Sequence, residues 1–206
     1  PRALYQLQKA IGAVYRQELA VNVRELGYAI EPGKDSLFEI KGVSADAIKA
    51  FSERAAQVEA RLAERGQTRE SASAAEKQIA ALDTRTVKEE VNRAELVKDW
   101  RATAEGAGFD QAARLALVAQ AEKVAAQSDH APLLSAQGEI AAHQAVAFAA
   151  EKLGERQSVF SAADLGQEAG RFGLGKVTQT QICAAIGRAT KDGALASRSS
   201  LDKSGP

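Results

Sequence analysis

Sulfur, rigidity and aromatic mass are what this sequence has least of. Its 206 residues include no methionine, one cysteine and four prolines, and aromatic residues make up only 5%. The lone Cys183 excludes an internal disulfide, and one Cys with two His is too few for a Cys/His zinc cluster. No structural metal is expected. No run approaches the roughly 18 apolar residues of a membrane helix, and no basic flank leads into an apolar stretch at the N-terminus as in a signal peptide. The expectation is a cytoplasmic protein without membrane insertion. Charge of one sign is missing too. The 27 Lys+Arg are balanced by 27 Asp+Glu, which excludes a uniformly basic coat for nucleic acid but allows local stripes. The chain begins with Pro1 rather than Met and is rich in alanine, so it reads as a piece of a longer protein.

Motifs for catalysis are equally scarce. A nucleophile needs a base within hydrogen-bond reach and a third group to orient it, and no local pattern of that kind is present. His130 falls in a polar stretch and His143 on a helix, without the spacing of paired metal ligands. Gly173-Leu174-Gly175-Lys176 lacks the spacer and the Lys-Ser/Thr pair of a phosphate loop, so it reads as a turn between helices. Cys183, between Ile182 and Ala184, reads as a small core residue. No cofactor is expected in this piece.

Helical periodicity is abundant. Leu4, Leu7, Ile11, Val14, Tyr15, Leu19, Val23 and Leu26 predict a first helix over 3–26 with Gly27 as its stop. Tyr28 and Ile30, then Phe38 and Ile40, alternate around Pro32-Gly33 and predict a hairpin. Ser44 opens a long helix to Gly66 along Ile48, Phe51, Ala55, Val58 and Leu62. A weaker, alanine-dominated helix over 68–82 buries little area, so it is expected to be mobile. Asn92 opens a helix through Trp100 that closes near Gly106 or Gly108, and Asp110 opens the next. Residues 127–136 break the pattern. Three short helices follow, ending near Gly154, Phe172 and Gly193, and a serine-rich tail closes the chain.

The fold class is therefore mostly α with one short β-hairpin, followed by a small winged-helix-like α module. The expected domains are 1–126, a linker at 127–136, the module at 137–196 and a disordered tail at 197–206. Basic residues recur on the helices: Arg61, Arg65 and Arg69 advance by four, and Arg85, Lys88 and Arg93 cluster before the helix opened by Asn92. Acidic residues interleave them, so composition alone favours solvated faces.

Several segments in order carry a more specific signal. Leu4-Tyr5-Gln6, Gly12-Ala13-Val14-Tyr15-Arg16-Gln17-Glu18-Leu19-Ala20, Leu26-Gly27-Tyr28, Phe38-Glu39-Ile40-Lys41-Gly42-Val43, Ala50-Phe51-Ser52-Glu53-Arg54 and Ala81-Leu82-Asp83-Thr84-Arg85 resemble the C-terminal half of the relaxase domain in conjugative relaxase-helicases of the TrwC/TraI type (the MobF class). Trp100-Arg101-Ala102 to Gly108-Phe109-Asp110 continues the match. His143 to Phe160 is similar to the segment that joins relaxase to helicase in that family.

The resemblance implies that residues 1–126 are the C-terminal lobe of an α/β relaxase domain. In such proteins a tyrosine near the N-terminus attacks a phosphodiester at the transfer origin, while a divalent metal held by three histidines polarises the phosphate. Both pieces would lie upstream of Pro1, the helicase motifs would lie beyond Pro206, and this chain alone would be inactive. Tyr5 and Tyr15 match a helix after the metal site and are expected in the core. The stretch after the helix matched by Ser44–Arg65 closes over single-stranded DNA in the family. This implies that Arg54, Arg65, Arg69, Arg85, Lys88 and Arg93 lie nearest DNA. One departure is that Glu53-Arg54-Ala55 stands where the family tends to have Lys-Arg-Arg. The expected partner is single-stranded DNA at the transfer origin, with the secretion coupling protein as a second. The parent would act in the bacterial cytoplasm and could be carried into the recipient cell. The alternatives are a recognition module for type IV secretion and a helical scaffold with no DNA role.

Overall fold

A computed structural model describes residues 2–85, 92–127 and 136–196. Among these residues the only sheet is one antiparallel pair, and the rest is helices and turns, so the mostly-α expectation with a single hairpin holds. The chain divides into two compact units, one built from residues 1–41 and 119–206 and the other from 42–118.

In the first unit, α1 (Arg2–Glu25) leads to β1 (Ile30–Pro32) and β2 (Phe38–Ile40), paired in the register Ile30 to Ile40. The Gly33 N–H donates to the Leu37 carbonyl at 2.7 Å and closes the loop, in which Asp35 and Ser36 take positive φ. α1 ends as its sequence predicts. The Tyr28 N–H donates to the Val23 carbonyl and the Gly27 N–H to that of Arg24, the paired bonds of a Schellman cap. Gly27 has φ +89°, and a Cβ there would stand 1.9 Å from the Ala121 carbonyl oxygen. Only glycine fits.

The core of this unit lies between α7 (Ala136–Gly154), α8 (Ala162–Phe172) and α9 (Gln179–Lys191). Ser161 with Asp164 and Thr178 with Gln181 form capping boxes that start α8 and α9. The buried residues are Ala142, Ala145, Val146, Ala149, Leu165, Ala169, Val177, Ile182 and Ala185. Five of these nine are alanines, which bury little area each but let backbones approach closely. The three helices of the expected module are thus present. Among the described residues no strand follows α9, so no wing is seen after it.

α1 belongs to this core by a face other than the one its apolar residues mark. Ala13, Gln17, Ala20 and Val21 are buried, whereas Ile11, Leu19 and Leu26 are exposed and Tyr15 is 67% exposed. Tyr15 is therefore not a core residue, and the side chain of Tyr5 lies outside the described residues. The physical reason is a set of polar bonds to the turn between α8 and α9. Gln17 Nε2 donates to the Val177 carbonyl at 3.1 Å, and Arg24 Nη1 to the Gly175 carbonyl at 2.7 Å. The Gln179 N–H donates to Glu18 Oε1 at 2.6 Å. Small residues on the same side let α1 come close enough to make them. Cys183 also departs from expectation. It is exposed, and accepts a bond from Gln179 Nε2 at 3.4 Å beside an apolar cleft of about 270 Å³ lined by α1, α8 and α9.

The second unit holds α2 (Ala45–Ala50), α3 (Glu53–Ala63), α4 (Ala74–Asp83), α5 (Arg93–Gly106) and the start of α6 (Gln111–Gln127). Ser44 caps α2 by accepting from the Ala47 N–H, but the long helix expected over 44–66 is broken at Phe51-Ser52. The Ser52 hydroxyl donates to the Ile48 carbonyl at 2.9 Å while its own backbone leaves the helical region. Phe51 thereby leaves the expected seam and is 47% exposed. The helix expected from residue 68 begins only at Ala74, where Ser73 and Glu76 form a capping box not singled out from the sequence. Asn92 and Asp110 do cap α5 and α6, accepting from the Ala94 and Ala113 N–H groups. The small core here is Leu62, Ala72 and Ala80 with Val58 against it.

The α1 contact is directly testable. Gln17→Ala removes the donor to a buried carbonyl and should lower stability by about 1–3 kcal/mol in urea denaturation. Tyr15→Ala should change it by less than about 0.5 kcal/mol.

Candidate nucleic-acid interface

Of the six basic residues expected nearest DNA, three converge on the pair α3 and α4. Arg54, in the first turn of α3, donates from both terminal nitrogens to the carbonyls of Ala81 and Thr84 at the C-terminal end of α4. Arg65 Nη2 lies 3.0 Å from Asp83 Oδ2, and Arg61 Nη2 lies 3.3 Å from the same oxygen while also pairing with Glu64. Arg69 Nη1 pairs with Glu59 Oε1 at 3.2 Å. These cations are not idle donors.

The geometry follows from helix electrostatics. The C-terminal end of α4 presents unpaired carbonyls and partial negative charge, and Asp83 adds a full charge in the last turn. A carboxylate at that end is unfavourable by itself, so cations are drawn to it. Arg54 satisfies the carbonyls, and Arg61 in the last turn of α3 and Arg65 in the turn that follows it share the carboxylate. Asp83 is a partner that sequence reasoning missed, although an acidic residue closing a helix is the signal that a cation must stand nearby. Bonds to Glu64 and then Asp83 hold the Arg61 guanidinium further toward its charged form.

The start of α4 is fixed in the same manner. Glu76 Oε2 accepts from the Ser73 N–H at 2.7 Å and Oε1 from Gln67 Nε2 at 2.5 Å. The bonds from Ser73 and Gln67 lower its pKa from 4.5 to about 2.

Arg85 and Arg93 differ from the other three. Both are exposed, and neither side chain makes a hydrogen bond or ion pair among the described residues. They stand at the two ends of the connection between α4 and α5. Lys88, within that connection, lies outside the described residues, as does His130. His143 is exposed on α7. The described residues bring together no group of three or more His, Cys, Asp or Glu side chains able to hold a metal ion, so no metal ligand is assigned to them. No helix among them is long and apolar enough to cross a membrane.

Residues 1–107, just over half of the chain, match the TrwC relaxase family model. The chain belongs to the TrwC relaxase family. It is 35% identical over 108 residues to the multifunctional conjugation protein TraI of Escherichia coli strain K12, a stretch covering 52% of this chain and 6% of that protein. To a second TraI from Escherichia coli it is 32% identical over 157 residues, 76% of this chain and 8% of the relative. The chain thus spans less than a tenth of the length of these relatives. Among solved structures, the metal-free conjugative relaxase TrwC in complex with OriT DNA aligns with a TM-score of 0.48 and 35% identity, covering 53% of this chain and 39% of that one. A copper-bound TrwC complex with OriT DNA aligns with the same score, covering 52% and 37%.

Two outcomes test the pairings. Asp83→Asn should lower stability by no more than about 1 kcal/mol, because the ion pairs it breaks are more than a third open to solvent. For Glu76, the folded pKa lies below the unfolded value. Its contribution is therefore present above pH 4.5 and lost as pH falls toward about 2. The Ser73 amide resonance should shift through that window, and Glu76→Gln should abolish the shift.

Proposed function

We propose that this chain is the DNA-gripping portion of a conjugative relaxase that nicks and transfers plasmid single strands at a transfer origin. The observation that carries the reading is the state of Arg85 and Arg93. Within the stretch that matches the relaxase family, they are exposed and unpaired among the described residues, at either end of one connection. Phosphate binding needs donors free of internal partners, and these two meet that condition. Arg54, Arg65 and Arg69 do not meet it, so the first two are assigned to holding α4 against α3 and the third to its pair with Glu59. Lys88 is assigned to the strand with Arg85 and Arg93.

In this reading residues 1–126 form the C-terminal lobe of the relaxase domain and 137–196 a module after it. The polar bonds from α1 to the turn between α8 and α9 join the two. Strand transfer by a tyrosine and a divalent metal belongs to the parent protein, acting in the bacterial cytoplasm. A second reading concerns the module itself. Phe148 and Phe172 stack at 4.2 Å between ring centroids yet are 40% and 51% exposed. Such a patch suits a protein partner, and the secretion coupling protein is the one proposed.

Binding of the full chain to a fluorescein-labelled single-stranded oligonucleotide, read by anisotropy, tests the first reading. Arg85→Glu and Arg93→Glu should each weaken binding. Each should also reduce the slope of log K against log salt concentration by about 0.7 or more, with the melting temperature unchanged. Unaltered affinity in both variants sinks the assignment.

A further inference from the structure

Trp100 is the one tryptophan in the chain, and its periodicity marks it as a core residue of α5. In the structure it is 50% exposed. Leu96, Val97 and Thr103 are half-buried and Ala104 is 3% exposed, all within about 60° of Trp100 around the helix, so α5 seats along the side that carries Trp100 while the large indole stays half open on it.

The charges around it are unevenly placed. At 3.6 residues per turn, Arg93 lies about 20° around the helix from Trp100 and about 10 Å along it, and Arg101 lies about 100° away. Glu95 and Glu105 lie about 140° from Trp100, and Asp99 stands on the flank opposite Arg101. Arg93 and Arg101 are exposed, and their side chains make no hydrogen bond or ion pair among the described residues. A half-open indole thus shares its face with an unpaired guanidinium. A single DNA strand offers the complement to both at once, a base with a free π-face and a phosphate one bond path away. Duplex DNA offers the phosphate and keeps the base stacked.

We infer that Trp100 stacks on an unpaired base of single-stranded DNA whose backbone is held by Arg93. The inference rests on the DNA-binding reading above and adds to it the contact that distinguishes single from double strand. Because no other tryptophan is present, the emission of the unmodified chain reports this contact alone.

The experiment titrates the full 206-residue chain with unlabelled oligo(dT) while following tryptophan emission, and in parallel measures anisotropy with labelled oligo(dT). Emission should be quenched with the same midpoint as the anisotropy change. Trp100→Ala, with its helical circular dichroism intact, should bind about tenfold more weakly, and Trp100→Phe should recover most of that loss. Binding by anisotropy without quenching overturns the stacking contact and leaves the DNA-binding reading standing. Equal quenching by a duplex of the same length also overturns it. Absence of any binding overturns the reading beneath and the inference with it.

Discussion

The first unit depends on three polar bonds that α1 makes to a single turn. A backbone carbonyl taken from water must find a donor, and leaving it unpaired costs about 1–3 kcal/mol. The turn between α8 and α9 buries Gly173, Leu174, Gly175 and Val177, and two of its carbonyls are met by Gln17 and Arg24. Glu18 accepts from the N–H that opens α9. These bonds fix the rotation of α1, and the rotation decides everything else about that helix. Its small residues face inward, and Ile11, Tyr15, Leu19 and Leu26 face out. Gly170 follows from the same constraint, since a Cβ there would lie 2.6 Å from Gln17 Oε1. Gly175, at φ +70°, leaves space for Ile30 of the hairpin and for the stem of Arg24.

In the second unit a small apolar core is accompanied by cations set against one helix end. Leu62, Ala72 and Ala80 are the whole of its buried cluster among the described residues. Beside that apolar contact, Arg54 on the end of α4, and Arg61 and Arg65 on Asp83, fix how α3 and α4 meet. Cations serving that purpose are neutralised. A phosphate could reach them only by displacing a carboxylate or a helix carbonyl, which would loosen α4 at the same moment. Binding to a strand is therefore better supported where the fold has left cations unspent, at Arg85 and Arg93.

Helix existence was legible from the sequence because periodicity and caps are local. Gly27, Ser44, Asn92, Asp110, Ser161 and Thr178 each mark a helix end that the structure confirms. Facing was not legible. Nothing in the spacing of Leu19 or Tyr15 reveals that a glutamine two residues away from Tyr15 will choose the buried side. The break at Ser52 escaped for a related reason, because a hydroxyl that turns back on Ile48 leaves no mark on apolar periodicity. For the site, residue types were legible and their employment was not. Arg65 and Arg85 look alike in the chain, and only the fold shows that Asp83 occupies one of them.

The alanine-rich core of α7, α8 and α9 sets a bound on change in this module. Ala142, Ala145 and Ala149 lie at successive contacts along α7, each essentially without solvent exposure, opposite Ala169 and Ala185. At such positions a larger side chain has little room, because each alanine is fully enclosed in a cluster shared with Leu165, Val177 and Ile182. Substitution at these positions is thus constrained from above in volume. The residues that contribute least area to the core are the ones where a larger side chain has least room.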